Sequence, residues 1–135
     1  MDAGIALQAA IHAELTGDMT LVSLLGGARI FDRPPRGTPH PFVSFAEASD
    51  RRMDGDVPPL REHRLSLEVH STARGRKEAS AIADRIEGLL AGAALALDGH
   101  RLVSLRPVDR TFATAGDRRS EIATLRFRAV TEPAQ

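Results

Sequence analysis

Cysteine, tryptophan and tyrosine are all absent from the 135 residues. Without cysteine there are no disulfides, no thiolate nucleophile and no Cys-based zinc site. Phenylalanine is the only aromatic, present five times. Aromatic rings dominate many tight interfaces and stack on unpaired bases, so their scarcity argues against a single-strand nucleic-acid binder and an aromatic-lined pocket. Net charge is missing too, with eighteen basic residues against eighteen acidic ones. No global field recruits DNA or an anionic membrane, which leaves only local patches to do so. The opening residues, Met1-Asp2-Ala3-Gly4, start acidic and lead into a segment broken by Gln8, His12 and Glu14. With no basic leader and no long apolar run, neither a secretory signal nor a membrane span is expected.

What is present is an ordinary globular composition, 42% hydrophobic and 27% charged, which predicts one domain over residues 1–135. A first helix is expected from Ala3 to Thr16. Leu7, Ile11 and Leu15 form its apolar stripe, widened by Ile5, Ala9 and Ala10, with Asp2 as N-cap and Gly17 as a left-handed stop. A short second turn follows, capped by Asp18 or Thr20, built on Leu21, Val22, Leu24 and Leu25 and ended by Gly26-Gly27. A small strand at Ala28 to Phe31 leads into the proline-rich crossing Arg33 to Pro39.

Pro41 to Ser49 alternates as a strand. Arg61 to His70 alternates more clearly, with Leu65, Leu67 and Val69 on one side and Arg64, Ser66, Glu68 and His70 on the other. Between them Asp50 to Leu60 is charged and rich in breakers, a long hairpin loop that reads either as a bare tip or as a contact loop. The period then becomes helical through Ala79, Ile82, Ala83, Ile86, Leu89 and Leu90, with a cap near Thr72 and Gly92 at the C-terminal end. Gly88 marks close packing or nothing. After the Asp98-Gly99 turn come strands at Arg101 to Thr114 and Ser120 to Thr131. Val103 and Leu105 share one parity, Val108 and Phe112 the other, and Pro107 marks a bulge or edge at the switch. Ala123, Leu125, Phe127 and Ala129 face in, with Thr124, Arg126 and Arg128 out. The order α-β-β-β-α-β-β predicts an α+β fold: an antiparallel sheet of about four strands with two helices on one face, a two-layer sandwich.

The five histidines form no short metal cluster, and Asp54 and Asp56 around Gly55 lack the rest of a calcium loop. Gly26-Gly27 has neither the spacing nor the Lys-Ser/Thr of a phosphate loop. No serine sits in a nucleophile elbow. The expected catalytic, metal and cofactor sets are therefore empty. Basic clusters occur at Arg51-Arg52, Arg74 to Lys77 and Arg118-Arg119, more simply solvated surface than phosphate sites. The outward charges Arg64, Glu68, His70, Arg126 and Arg128 define a polar sheet face, open to cross-strand pairing or to a neighbouring subunit.

An ordered set of short segments carries a family resemblance. It runs from Leu15-Thr16-Gly17-Asp18 and Leu24-Leu25-Gly26-Gly27-Ala28-Arg29-Ile30-Phe31, through Pro34-Pro35 and Pro41-Phe42-Val43, to His63-Arg64-Leu65-Ser66-Leu67-Glu68-Val69-His70-Ser71. Glu78-Ala79, Ile82-Ala83, Leu97-Asp98-Gly99-His100-Arg101-Leu102-Val103 and Leu125-Arg126-Phe127-Arg128-Ala129-Val130-Thr131-Glu132 complete it. With these the chain resembles the phage tail-completion or tail-terminator family, which includes members from gene transfer agents. The resemblance implies a virion protein assembled in the bacterial cytoplasm as a homo-oligomeric ring, a hexamer. Such a ring caps the head-proximal end of the tail tube, stops its polymerisation and docks to the head connector. The implied partners are further copies of the chain, the major tail tube protein, the connector or stopper protein, and DNA passing without sequence specificity; no membrane is implied. It brings no catalytic residue. A neck or head-tail connector protein is the alternative within the virion, and a DNA-binding adaptor lies outside it. Partner contacts are expected at Arg51, Arg52, Met53, Asp54, Asp56, Arg64, Glu68, Arg126 and Arg128.

Overall fold

The computed structural model describes residues 2–53, 55, 59–72, 76–116 and 120–134. The elements in chain order are α1 (Ala3–Thr16), α2 (Met19–Leu25), β1 (Ile30–Phe31), β2 (Phe42–Met53), β3 (Leu60–Ser71), α3 (Lys77–Leu90), β4 (Ala96–Leu97), β5 (His100–Thr114) and β6 (Glu121–Pro133). The strands make one six-stranded sheet in the order β1-β2-β3-β6-β5-β4, which curls into a half-barrel. β1 runs parallel to β2, and every other pair is antiparallel. The expectation of four antiparallel strands with two helices in a two-layer sandwich is thus corrected: the sheet is six-stranded and mixed, and there are three helices. The small strand expected at Ala28 to Phe31 is β1, but its parallel pairing depends on a return of the chain that alternation does not encode, and the two-residue β4 is too short to show a period.

Local sequence explains the helix starts. Asp2 accepts a hydrogen bond from the Ile5 N–H at 3.1 Å, and Asp18 accepts from the Leu21 N–H at 2.9 Å, each meeting one of the unpaired donors of a first turn. Gly17 is not left-handed, with φ −81°, whereas Gly26, at φ 77°, is the left-handed stop, closing α2. Thr72 does not cap α3: its N-cap position is Arg76, which gives no side-chain bond. Instead the Ser71 hydroxyl donates to Glu78 in the first turn of α3 at 2.5 Å, tying the helix to the end of β3. A Cβ at Gly88 would meet nothing within 4 Å, so that glycine marks no close packing.

The core forms between the helices and the sheet face that carries Leu65, Leu67, Val69, Leu105, Ala123, Leu125 and Phe127. Ile82, Ile86 and Leu90 of α3 are fully buried, with Leu7, Ile11 and Leu15 of α1 and Leu21 and Leu25 of α2. Of the two leucines expected to close this stripe, Leu90 is fully buried and Leu89 only partly. Asp18 also receives two hydrogen bonds from Arg85, at 2.8 and 2.6 Å, which lock α2 to α3. That guanidinium is the main reason the Asp18 carboxyl is held down at about 2, with the Leu21 N–H adding to it.

β3 and β6 pair without interruption from Arg61↔Thr131 to Ser71↔Glu121. All register shifts fall in the strands that flank this pair: between Phe45 and Ala48 in β2, and between Leu102 and Ser104 and between Pro107 and Asp109 in β5. The parity change expected at Pro107 is therefore real, but a second bulge precedes it. Val103, read as sharing the face of Leu105, is the extra residue of that bulge and is 46% exposed.

Candidate assembly surface

The face of the sheet turned away from the helices is polar. On β3 it carries Glu62, Arg64, Ser66, Glu68 and His70, opposite Val130, Arg128, Arg126, Thr124 and Ile122 of β6. Its centre is Glu62, only 3% exposed. Arg128 donates to one carboxylate oxygen from Nε at 2.7 Å, while the Nε atoms of Arg51 and Arg64 reach the other at 3.0 and 3.3 Å. Three guanidinium groups on one carboxylate leave a net positive cluster. The hydrogen bond from Arg128, then that from Arg51, holds Glu62 at about 2 against the opposing effect of burial. Arg51 and Arg64 remain mostly open to water, with side chains 69% and 63% exposed, while Arg128 is largely covered.

Next to this cluster Arg126 pairs with Asp109 at 3.1 Å, and Arg106 lies opposite Arg128 in the β5–β6 register. At the other end of β3, Glu68 reaches His70 at 3.2 Å, and the imidazole stacks on Phe42 with centroids 4.5 Å apart. Burial lowers the His70 pKa, with Glu68 opposing it. His63 lies on the helix side of the sheet, buried, with Nε2 2.8 Å from the Thr131 hydroxyl; burial lowers its pKa as well. His12 donates from Nε2 to the Ile30 carbonyl at 3.0 Å and so ties α1 to β1. Among the described residues no group of three or more His, Asp or Glu is placed to hold a metal ion.

The sequence-derived contact residues divide into three sets. Arg51, Arg64 and Arg128 come together on Glu62, with Arg126 beside them. Glu68 sits at the far end of the same face, paired with His70. Arg52 belongs to the opposite face, level with Arg61, whose guanidinium holds Asp50 at 2.6 Å. Met53 is the last residue of β2, half-buried and opposite Leu60. Asp54 and Asp56 lie outside the described residues. The expected 50–60 loop is shorter than its sequence suggests, because β2 continues to Met53 and β3 begins at Leu60. Sequence reasoning missed Glu62 and Arg106. For Glu62 a signal existed: a carboxylate two residues from Arg64 on the polar parity of an alternating strand is placed to pair with it and with cross-strand neighbours.

Comparison with known proteins adds an independent line. The family model for tail completion protein gp17 matches residues 9–132. A chain in the virion of a native gene transfer agent particle superimposes with a TM-score of 0.88 at 27% identity, covering 96% of this chain and 97% of that one. The gp17 protein of bacteriophage SPP1 shares the fold, with a TM-score of 0.64 at 20% identity over 94% of this chain and 89% of its own. No curated protein matches the chain.

Proposed function

Because the chain belongs to the tail completion protein gp17 family, we propose that it closes the head-proximal end of a phage or gene-transfer-agent tail tube as a ring of identical subunits, a hexamer. The ring stops further tube growth and presents a surface to the head connector. The observation that carries this reading is the end-to-end match to a chain of a gene transfer agent virion.

The chemistry of the molecule supports a role exercised through surfaces. Its two strongly perturbed acids, Glu62 and Asp18, are both held ionised by arginine, the opposite of an acid poised near neutrality for proton transfer. The arginine-rich sheet face suits contact with a neighbouring subunit or with DNA passing through the ring, since guanidinium groups meet phosphates without reading sequence. The end of the β2–β3 hairpin is, in this reading, a second contact region, used against an adjoining ring. Removing Arg52 to Pro58 takes away only the last two rungs of the hairpin, Arg52↔Arg61 and Met53↔Leu60. The shortened chain is expected to fold but to cap poorly, and unchanged tail length and particle yield would count against this role.

The direct test is electron microscopy of the purified protein mixed with tail tubes of the same particle. A ring at one end of each tube is the expected image. Rings found only in the neck, with bare tube ends, would favour a head–tail connector instead, and no association with tubes would remove the reading.

A further inference from the structure

On the polar face, β3, β6 and β5 set three arginines side by side. Arg64 stands opposite Arg128, and Arg128 opposite Arg106, so one row of the sheet crosses three neighbouring strands on guanidinium groups alone. Strands lie about 4.8 Å apart, which makes the row ~10 Å long. Arg51 adds a fourth charge one row along, opposite Glu62, where it meets Arg64 and Arg128 on the same carboxylate. Like charges directly opposite one another weaken a sheet. Among the described residues Glu62 is nevertheless the only carboxylate that any of the four reaches. Four positive groups against one negative leave three charges in excess, in a chain whose formal net charge is zero.

Glu62 holds the cluster in place without occupying it. Each of its three arginines turns Nε to the buried carboxylate. The terminal nitrogens of Arg51 and Arg64 hold no acceptor among the described residues, and the exposed Arg106 has no ion-pair partner there. The other acids of this face stand off the row: Asp109 holds Arg126, Glu68 holds His70, and Glu47 lies at the β2 bulge, where its N–H donates to the Ser66 hydroxyl. Free donors in a line match an anion with several charges in a line. A protein partner would have to strip water from the whole row with no apolar side chain in it to bury, whereas the centre of a protein contact is depleted of charge. A phosphate backbone meets such groups in contacts that stay charged and wet. One strand of a duplex brings a phosphate about every 3.4 Å of axis, so roughly three pass over a row of this length. Single strands are held by stacking bases on aromatic rings, and the row carries none.

We propose that the Arg64–Arg128–Arg106 row, with Arg51 beside it, is a seat for the phosphate backbone of duplex DNA. Arg51, Arg64 and Arg106 each meet one phosphate, while Arg128, largely covered, is the strut that Glu62 fixes between them. Glu62 is a positioning residue: it sets where the guanidinium groups stand and leaves their outer nitrogens to the ligand. The proposal rests on the ring reading above for the source of the DNA, which crosses the ring, and it adds which face of the sheet is turned to that DNA. Contacts to the backbone carry no sequence information, and binding of this kind lets a duplex slide, as passage through a ring requires.

Fluorescence anisotropy of a labelled duplex of about 30 base pairs, titrated with the purified full chain from about 50 to 200 mM salt, tests it. Three phosphate contacts predict a slope of about −2.7 in log affinity against log salt, the same for duplexes of unrelated sequence. Arg64→Gln and Arg106→Gln should each weaken binding roughly five- to tenfold at the lowest salt and flatten the slope by about 0.9. Lys77→Gln on α3 and Arg36→Gln in the proline-rich crossing remove the same charge elsewhere and should leave affinity within about twofold. Arg106→Gln should hold or raise the melting temperature, since it relieves a like-charge pair at an exposed position. A parent chain that binds no duplex at the lowest salt, or losses as large in Lys77→Gln as in Arg64→Gln, would overturn the site and leave the ring reading standing. Arg106→Gln that loses tube capping with duplex binding intact would assign the row to a neighbouring copy and equally overturn it. A chain that binds duplex through this row but caps no tube would keep the site and lose the ring.

Discussion

Ile5 and Ile11 stand on the same helix, six residues apart, and the same substitution at each should behave oppositely. Ile11 is 0% exposed and Ile5 61%. Changing Ile11 to Ala removes three buried carbons, worth about 2.4 kcal/mol at ~0.8 kcal/mol each. An unrelaxed cavity of about 50 Å³ adds ~1.2 kcal/mol, and the better helix propensity of alanine returns ~0.4. The net loss is about 3 kcal/mol, inside the range of roughly 2 to 5 seen for such truncations. With an unfolding entropy of ~2.1 cal/mol/K per residue, a chain of this size should lose about 11 °C in melting temperature. Ile5→Ala gives up little buried area and gains the same propensity, so its change should stay within about 0.5 kcal/mol, or ~2 °C. Thermal melts of the free protein followed by far-UV circular dichroism measure both. If Ile5→Ala costs more than about 5 °C, Ile5 packs against the chain and its exposed placement on α1 is wrong. If Ile11→Ala costs less than ~3 °C, the packing of α1 on the sheet is wrong.

Acid should unfold the protein in two stages. Burial pushes His63 and His70 below the ordinary 6.5; the unfolded chain then binds more protons, and the stability they contribute above that value declines as pH falls through their folded values. Glu62 and Asp18 contribute stability that is complete above their ordinary 4.5 and 3.8 and is lost as pH falls towards about 2. Urea unfolding over a pH series should show both stages, with the lower one flattened in a Glu62→Gln, Asp18→Asn variant; an identical profile in that variant would contradict the assignment. Gly26→Ala forces a side chain into the left-handed region at φ 77° and should cost about 1–2 kcal/mol. Gly88→Ala, in a helix with free space at its Cβ, should instead gain roughly 0.5–1 kcal/mol. The same melts decide both, and equal signs would refute the backbone argument.

The sequence by itself was enough for whatever depends on near neighbours along the chain. The alternation of Leu65, Leu67 and Val69, the helical spacing of Ala79, Ile82, Ala83 and Ile86, and the inward set Ala123 to Ala129 all follow from fixed periods of two and 3.6. So do the caps at Asp2 and Asp18, and the polar parity that put Arg64, Arg126 and Arg128 on one face. An ordered series of short segments was likewise enough to identify the family. Tertiary structure alone decided the rest. The small strand expected at Ala28 to Phe31 is present as β1, but its parallel ladder on β2 is set by a long return of the chain, and β4, folded back on β5 across Asp98-Gly99, is too short to carry a period of its own. The bulges at Val103 and Val108 appear only when β5 is laid against β6, because an inserted residue is defined by its partner strand. Glu62 becomes a hub because β2 and β6 bring Arg51 and Arg128 to it from 11 and 66 residues away. Local spacing fixes which way a side chain faces on its own strand; which strand stands beside it, and which edge is left bare, is set by the closure of the whole sheet.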